Sequence, residues 1–248
     1  MAANADWGLG IVERRSTTDQ VLHELRTAIL EGRIKPQEQL PEVALAQAFG
    51  TGRSAIREAL RDLVQEGLVV TEINRGARVR PISTPDVIDV YRARTAIEVA
   101  AVGVLLGTGP FDVEPLRQAQ ETIRDAAPAD GSQTPSQDLI AADIDFHRTM
   151  VALAGSPRLS RAHEPLAAES QMMLNWHPVY SVSDYVADHQ ELLEVIAASD
   201  PGAGEVVRAH LTLTVELIVG EATRYASRVA STESIVHNDD HHNEGSLG

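Results

Sequence analysis

The 248-residue sequence contains no cysteine. This absence excludes disulfide bonds and thiolate metal ligands. Long apolar runs are also missing, because no hydrophobic stretch approaches the roughly 18 residues that a membrane-spanning helix needs. The N-terminal segment has neither the charged start nor the apolar centre of a secretory signal peptide. We therefore expect a globular cytoplasmic protein without a membrane partner.

Lysine is almost absent, since Lys35 is the single lysine among 21 basic side chains. The net charge of -15 is distributed unevenly along the chain. Residues 11–80 contain 11 basic and 10 acidic side chains, whereas the chain from Pro81 onward contains 10 basic and 25 acidic ones. The acidic portion would repel phosphate, so any contact with nucleic acid is expected in the N-terminal portion, where arginines supply bidentate donors.

The first eighty residues alternate between helical and extended patterns. Apolar residues at helical spacing predict three helices, at 17–31, 42–49 and 53–66. Two β-rich segments follow, at 68–73 and 77–80. The tripeptide Asn74-Arg75-Gly76 between them is typical of a hairpin turn. This order of helix, short helix, basic helix and two-stranded wing predicts a winged helix-turn-helix domain.

The third predicted helix carries Arg53, Arg57 and Arg61 on one face at four-residue spacing. Three aligned guanidinium groups repel each other unless anions face them, and phosphates and guanine edges supply such anions. The other candidate DNA contacts lie at the start of this helix and at the wing tip: Thr51, Ser54, Arg75 and Gly76. The alternative for this helix taken alone is a solvated face on which the arginines pair with Glu58 and Asp62.

The C-terminal half is predicted to be entirely helical, so the fold class is mainly α. Clusters of glycine and proline separate six helices, at about 84–107, 112–127, 136–154, 158–175, 183–198 and 202–227. We expect them to form an antiparallel bundle. The predicted organisation is a flexible arm at 1–15, a winged helix-turn-helix DNA-binding domain at 16–81, a helical domain at 84–228 and a disordered tail at 229–248.

Four side chains of the helical domain have the types and spacing of a metal site. Asp143 and His147 lie one turn apart on one predicted helix, and His189 and His210 lie on later helices. Three imidazoles and one carboxylate suit zinc, nickel or manganese better than calcium or magnesium, and we expect zinc. The alternative is that these histidines are satisfied core residues. Two further histidines without a partner at ligand spacing are interpreted as structural or pocket-lining: His163 and His177.

The stretch LPEVALAQAFGTGRSAIREALRDLVQEGLVVTEINRGARV at 40–79 resembles the signature of the GntR family of bacterial regulators. The resemblance covers about residues 15–80, and its most telling parts are IREAL, EGLV and RG. It implies operator contacts from Arg53 and Arg57, with Ser54 assisting and Gly76 at the wing. The chain departs from many relatives in three residues of this stretch: Pro41, Val43 and Gly52. These departures affect the expected operator sequence rather than the expected domain.

The helical half resembles the FCD effector and dimerisation domain of the FadR-type branch of that family. The matching pieces are YRARTAIEVAA at 91–101, DIDFHRTMVALAGSPRL at 143–159, DHQELLEVIAASD at 188–200 and RAHL at 208–211. The resemblance implies a metal site made by Asp143, His147, His189 and His210. Acyl-CoA-binding members lack this set, so we do not expect a CoA effector. Six helices rather than seven resemble the VanR-type variant.

Four protein ligands leave coordination positions open on a five- or six-coordinate ion, which a small carboxylate effector could complete. Arg94 lies among apolar neighbours and needs an anion, so it is the candidate effector-binding residue. The alternative is an internal pair with Glu98, one turn further along. Three weaker candidates for the same pocket are Arg148, Asn175 and Trp176.

Together these patterns predict a homodimeric DNA-binding regulator, a repressor by resemblance, that binds a palindromic operator and responds to a small organic acid bound near the metal. Two alternatives remain open at this stage. The ion itself is the signal in the first, and the chain is a mononuclear metalloenzyme in the second. The second is disfavoured because Asp145, the nearest spare carboxylate, lies on the opposite side of its helix from Asp143. We therefore expect no enzymatic activity.

Overall fold

The structure is a computed structural model that describes residues 16–72, 75–128, 132, 134–177 and 180–220. The predicted arm at 1–15, the end of the predicted helical domain at 221–228 and the predicted tail at 229–248 lie outside the described residues. In the part of the chain that is described, no helix is long and apolar enough to cross a membrane.

The N-terminal portion consists of three helices followed by a β-hairpin. The elements are α1 (Thr17–Leu30), α2 (Glu42–Ala48), α3 (Arg53–Gln65), β1 (Val69–Glu72) and β2 (Gly76–Val79). Each boundary lies within one residue of the predicted one. The strands are antiparallel, with Val69 opposite Val79 and Glu72 opposite Gly76. An isolated bridge between Gln39 and Arg78 ties the segment before α2 to the hairpin.

These elements fold around one apolar core, because α1 and α3 each bury a stripe of residues at helical spacing. The core is formed chiefly by Val21, Leu25, Ile29, Leu40, Ile56, Leu60, Leu63, Leu68, Val69 and Val79. The opposite face of α3, which carries its arginines, is left at the surface. The packing therefore turns the basic side of α3 toward solvent.

The C-terminal portion is a bundle of six helices in the described residues. They are α4 (Thr84–Gly107), α5 (Glu114–Asp125), α6 (Gln137–Leu153), α7 (Pro157–Trp176), α8 (Val182–Ala197) and α9, which covers 203–220. The boundaries differ from the predicted ones by at most two residues where both ends are described. Helix α6 occupies the middle of the bundle, since it packs against α4, α5, α7 and α8.

The two portions contact each other through α7. Ala168 and Met172 of this helix are buried in the same apolar cluster as the core of the N-terminal portion. The α3–β1 junction also approaches α7, because a side chain at Gly67, where φ is +78°, would collide with Glu169. The N-terminal portion is thus packed against the bundle by a helix that belongs to the bundle.

Candidate metal centre and nucleic-acid interface

The start of α3 presents the residues that the sequence singled out for DNA contact. Gly52 precedes the helix, and no side chain caps its first amide groups. Arg53 and Ser54 are exposed beside these amides, whereas Thr51 is half-buried. Uncapped N–H groups at a helix N-terminus attract anions, and a DNA phosphate is an anion of suitable size.

The exposed face of α3 continues into a cleft between this helix and the wing. The Arg57 side chain is 56% exposed, and its Nε lies 3.9 Å from Oε2 of Glu42. Both residues line the cleft, which has a volume of about 450 Å³ and also includes Arg61 and Gln65. The sequence placed Arg61 on the arginine face without counting it as a DNA contact. Its position in this cleft adds it to the candidate contacts.

The wing tip carries Gly76 and an exposed arginine. Gly76 adopts a φ of +77°, which disfavours other residues, and no atom lies near the position of a Cβ. Arg75 is 76% exposed, with Nη1 3.4 Å from Oε2 of Glu72. The hydrogen bond from Arg78 lowers the pKa of the Glu72 carboxyl, and the charge of Arg75 adds to this effect. Because exposed ion pairs are weak, Arg75 can exchange Glu72 for a phosphate.

The four predicted metal ligands lie together in the bundle. Their ligand atoms, from Asp143 and His147 on α6, His189 on α8 and His210 on α9, are all within 4.8 Å of one another. The side chains of all four are at least nine-tenths buried. The structure therefore brings together residues up to 67 positions apart in the sequence, as the predicted site requires.

Hydrogen bonds orient two of these imidazoles. Nδ1 of His147 lies 2.7 Å from Oε2 of Glu98. Nδ1 of His189 lies 2.8 Å from the carbonyl oxygen of Tyr185. A carboxylate and a carbonyl accept hydrogen bonds, so Nδ1 is the donor in both rings and Nε2 is the remaining ligand atom. Partners of this kind fix the tautomer of metal-binding histidines.

Two ring nitrogens in the cluster have no hydrogen-bond partner within the described chain. Nε2 of His189 lies 2.8 Å from Oδ1 of Asp143, but the contact lacks the geometry of a hydrogen bond. Nδ1 of His210 is buried without a hydrogen bond, 3.9 Å from Oδ2 of Asp188. Unpartnered buried nitrogens are rare in folded proteins. The donor set and these nitrogens fit a divalent transition metal ion.

The charges of the cluster also suit a cation. Burial opposes ionisation of Asp143, but His189 beside it lowers the pKa of the Asp143 carboxyl to about 2. Burial lowers the pKa of His147, and it lowers the pKa of His210 well below its ordinary value. Asp143 is therefore ionised, and His147 and His210 are neutral, at neutral pH. Burial opposes protonation of His189, but the Asp143 carboxylate beside it raises the pKa of this ring, so a metal ion bound there would displace a proton.

Arg94 is fully buried next to this cluster. Its Nε donates to Oε1 of Glu98 at 2.8 Å, so the internal pair that the sequence offered as an alternative is present. Its Nη2, however, has no hydrogen-bond partner within the described chain. The guanidinium lies over the ring of Tyr91, 5.2 Å from the centroid. The hydroxyl groups of Tyr91 and Tyr185 are likewise buried without a hydrogen-bond partner.

Glu98 and His163 are the parts of the site that sequence reasoning did not assign. Nε2 of His163, on α7, lies 2.9 Å from Oε1 of Glu98. Glu98 thus accepts hydrogen bonds from Arg94, His147 and His163. The four-residue spacing of Arg94 and Glu98 was the one signal in the sequence, since His163 has no neighbour at ligand spacing.

An open cleft of about 540 Å³ between α8 and α9 borders the cluster at His210. Three carboxylates line it, from Asp188, Glu191 and Glu205. Burial raises the pKa of Asp188, whose carboxyl lies closest to the His210 ring. The cleft attracts cations and repels anions, because its charged lining is acidic.

The three weaker effector candidates lie elsewhere, so that prediction is wrong. Arg148 pairs with Asp145 and Glu164 at the surface. Asn175 donates to the carbonyl oxygen of Leu30, and Trp176 packs beside Gly32. Both belong to the end of α7 that faces α1, which helical spacing within α7 did not reveal.

As expected, Asp145 faces away from the cluster. His177 lines a separate cavity of about 130 Å³.

Two protein families match the chain, and together they span most of it. Residues 17–79 match the family described as bacterial regulatory proteins, gntR family. Residues 89–213, half of the chain, match the FCD domain. The first match covers the helix-turn-helix and its wing, and the second covers the bundle from α4 into α9, including all four candidate ligands.

Relatives and solved structures agree with this assignment. The chain is 29% identical over 203 residues to the HTH-type transcriptional repressor GlaR of Escherichia coli K12, covering 78% of this chain and 92% of that one. It is 29% identical over 223 residues to the HTH-type transcriptional repressor NanR of Edwardsiella tarda, covering 80% and 84%. A GntR transcriptional regulator from Rhodococcus sp. RHA1 shares the fold, with a TM-score of 0.73 at 24% identity over 83% of this chain and 99% of that one. These proteins are regulators and not enzymes, and this chain belongs to the GntR family as a DNA-binding transcriptional regulator with an FCD domain.

Proposed function

We propose that this regulator is a repressor that binds a palindromic operator as a homodimer and releases it when a small organic acid binds beside a divalent transition metal. Residues 16–81 contact the DNA in this proposal, and residues 84–228 hold the metal, the acid and the second subunit. The observation that carries the proposal is the convergence of four buried ligand side chains on one point in the bundle.

Asp143, His147, His189 and His210 would hold the ion, and zinc is the first choice, with nickel or manganese as alternatives. The bound ion supplies positive charge and open coordination positions for an oxygen ligand. The oriented imidazoles of His147 and His189 support this assignment, because each donates through Nδ1 and leaves Nε2 as the ligand atom. Burial of the cluster excludes water that would compete with these ligands.

The organic acid is supported by polar groups next to the cluster that have no hydrogen-bond partner. Nη2 of Arg94 and the hydroxyl groups of Tyr91 and Tyr185 are buried donors, and each is costly to leave unpaired. A carboxylate accepts hydrogen bonds from guanidinium and hydroxyl groups such as these. Arg94 remains our candidate for effector binding, because its guanidinium keeps free donors after pairing with Glu98.

The proposed DNA contacts are Arg53, Ser54, Arg57, Thr51, Arg75 and Gly76. Their positions on the start of α3 and on the wing tip support a recognition helix in the major groove with the wing beside it. Repression, rather than activation, is supported by the names of relatives such as GlaR and NanR. The acidic balance from Pro81 onward keeps the bundle away from phosphate.

A homodimer is supported by the outer face of α4. Ile88 and Val104 are 37% and 43% exposed on this helix, although both are large and apolar. Ala96, Ala100 and Gly103 lie exposed between them, so a second helix could approach closely. If two copies of the chain pack through this face about a two-fold axis, the dimer presents its two recognition helices to the two half-sites of a palindrome.

The acidic cleft favours a second candidate function, in which the ion itself is the signal. Asp188, Glu191 and Glu205 surround the exposed side of His210, so a cation can approach the cluster along a favourable potential. An anionic effector gains nothing from the same lining. A regulator that senses metal needs an ion that exchanges with solvent, and this cleft gives a route for exchange.

The DNA contact is tested with Arg57→Ala and the matched control Arg117→Ala, which removes a similarly exposed arginine from α5. We expect Arg57→Ala to lose sequence-specific binding to a duplex selected from random DNA, a loss of about 1–3 kcal/mol or more per half-site. Fluorescence anisotropy measures the affinity, and circular dichroism verifies the fold. Normal affinity in Arg57→Ala would show that the recognition helix is wrongly assigned.

The control by metal and acid is tested on the same duplex with metal-free and zinc-loaded protein, with and without mono-, di- and tricarboxylates. We expect one acid class to weaken DNA binding of the zinc-loaded protein by about 5–150-fold. His147→Ala should lose the metal and the response, whereas His23→Ala, an exposed histidine of α1, should retain both. If zinc alone produced the full change in DNA affinity, the metal-sensing alternative would be favoured. If the metal-free protein responded fully to the acid, the proposal would be overturned.

A further inference from the structure

Glu98 joins three helices at one buried carboxylate. It lies on α4, where its Oε1 accepts from Arg94 of the same helix at 2.8 Å. Oε2 accepts from His147 of α6 at 2.7 Å, and Oε1 also accepts from His163 of α7 at 2.9 Å. All four side chains are almost completely buried. A candidate metal ligand is therefore connected to α7 by two consecutive hydrogen bonds.

Helix α7 has two buried faces that serve different cores. One stripe at helical spacing, formed by His163, Ala167, Ser170 and Leu174, faces the bundle. Ala168 and Met172, about a quarter-turn away, are buried in the core of the DNA-binding domain. The same helix thus contacts Glu98, the hydrogen-bond partner of His147, through one face and the DNA-binding domain through the other.

The end of α7 fixes the C-terminal end of α1. Asn175 donates to the carbonyl oxygen of Leu30, and the Trp176 ring lies 3.8 Å from where a Cβ of Gly32 would be. Gly32 has a φ of +70°, so it ends α1 in a conformation that few other residues adopt. A displacement of α7 along or about its axis would therefore move α1 and the DNA-binding domain with it.

A proline separates the two ends of this helix. Pro165 lies inside α7, two residues after His163 and three before Ala168. Because proline has no N–H group, the carbonyl of Arg161 loses its helical hydrogen bond. The missing hydrogen bond lies between the contact with Glu98 and the contacts with the DNA-binding domain, so α7 bends most easily at this point.

We propose that His163 is a positioning residue that transmits the state of the metal centre to the DNA-binding domain through α7. An ion on Nε2 of His147 would hold the imidazole in place and strengthen the existing hydrogen bond from its Nδ1 to Glu98, which restricts the orientation of that carboxylate. His163 then aligns α7 with the carboxylate, and the docked end of α7 carries the adjustment to α1. This inference rests on the proposed function, because it requires a metal ion at His147.

The test compares His163→Phe, which fills the space without a donor, with His163→Gln, which keeps an amide donor near the position of Nε2. Arg158→Gln, an exposed change on α7, is the matched control. Zinc alone is added to the full-length proteins. Metal content is measured by elemental mass spectrometry, and amide hydrogen exchange is followed at residues 31 and 32, whose N–H groups bond within the end of α1.

We expect zinc to slow exchange at these amides by about 5-fold or more in the wild type and in Arg158→Gln. His163→Phe should bind one zinc per chain without this slowing, and His163→Gln should restore it. If His163→Phe does not fold, the smaller His163→Leu, which also lacks a donor, gives the same test. Zinc uptake without slowing in the wild type, or equal slowing in His163→Phe, would overturn the inference. A wild type that binds no zinc would instead overturn the proposed function.

Discussion

Glu98 is the single residue on which the candidate site depends most. Burial would raise the pKa of its carboxyl, but the charge of Arg94 and the hydrogen bonds from His147 and His163 hold that pKa well below its ordinary value. Glu98 is therefore ionised and serves as the counter-ion of a buried arginine. It also fixes the tautomer of His147, a candidate metal ligand. A substitution of Glu98 is therefore expected to affect both the stability of the fold and the proposed metal site.

We predict that Glu98→Gln lowers the free energy of unfolding of the metal-free protein by about 3–5 kcal/mol, because it leaves the charge of Arg94 buried without a counter-ion. Urea denaturation measures the change. Glu114→Gln is the matched control, since it removes an exposed pair with Arg117 at 3.5 Å and should cost less than about 1 kcal/mol. Equal losses in the two variants would contradict the role of Glu98.

The sequence predicted the metal ligands but not their supporting residues. Asp143 and His147 share a helix face, a local pattern that is visible as a four-residue spacing. His163 and Glu98 are 65 positions apart in the sequence, and the periodicity of a single helix does not reveal a contact of this kind. Long-range contacts of single polar residues depend on how the helices pack, and this information is spread over the whole apolar core.

At the scale of elements, helix ends were the best-predicted features because their signals are local. Side chains of serine cap most of the helices, namely Ser16, Ser83, Ser136, Ser156 and Ser181. Glycines follow the ends of α2 and α3. The double role of α7 was not predicted, because its apolar stripes indicate burial without indicating which core each stripe enters.

We predict that Gly67→Ala destabilises the protein more than Gly50→Ala. Both glycines follow a helix end and have a positive φ, which costs alanine about 1–2 kcal/mol. A Cβ at position 50 meets no other atom within 4 Å, whereas one at position 67 collides with the carboxylate of the Glu169 side chain. We expect an additional loss of about 1–3 kcal/mol at Gly67, measured by urea denaturation.

Glu169 provides the control for this comparison, because its removal leaves space for the new methyl group. Gly67→Ala in a Glu169→Ala background should cost no more than Gly50→Ala does in the same background. If the two glycine variants are equally destabilised with Glu169 in place, the contact between the α3–β1 junction and α7 is not close in solution.

At the scale of the whole molecule, the proposed assembly depends on the outer face of α4. We predict that Val104→Glu converts the proposed homodimer to a monomer, because it places a charge in the apolar interface that we propose for this face. Sedimentation velocity measures the oligomeric state. Val43→Glu, an exposed apolar position in α2, is the control and should leave the dimer intact. A dimer that survives Val104→Glu would place the interface elsewhere.

The central claim is a metal ion held by Asp143, His147, His189 and His210, and metal content tests it most directly. The measurement is elemental mass spectrometry on untagged full-length protein in which three tail histidines, His237, His241 and His242, are replaced by alanine. We predict about one transition-metal ion per chain, lost when His189→Ala is added. No metal after reconstitution, or equal metal with His189→Ala, would contradict the claim and make these histidines core residues of a DNA-binding protein.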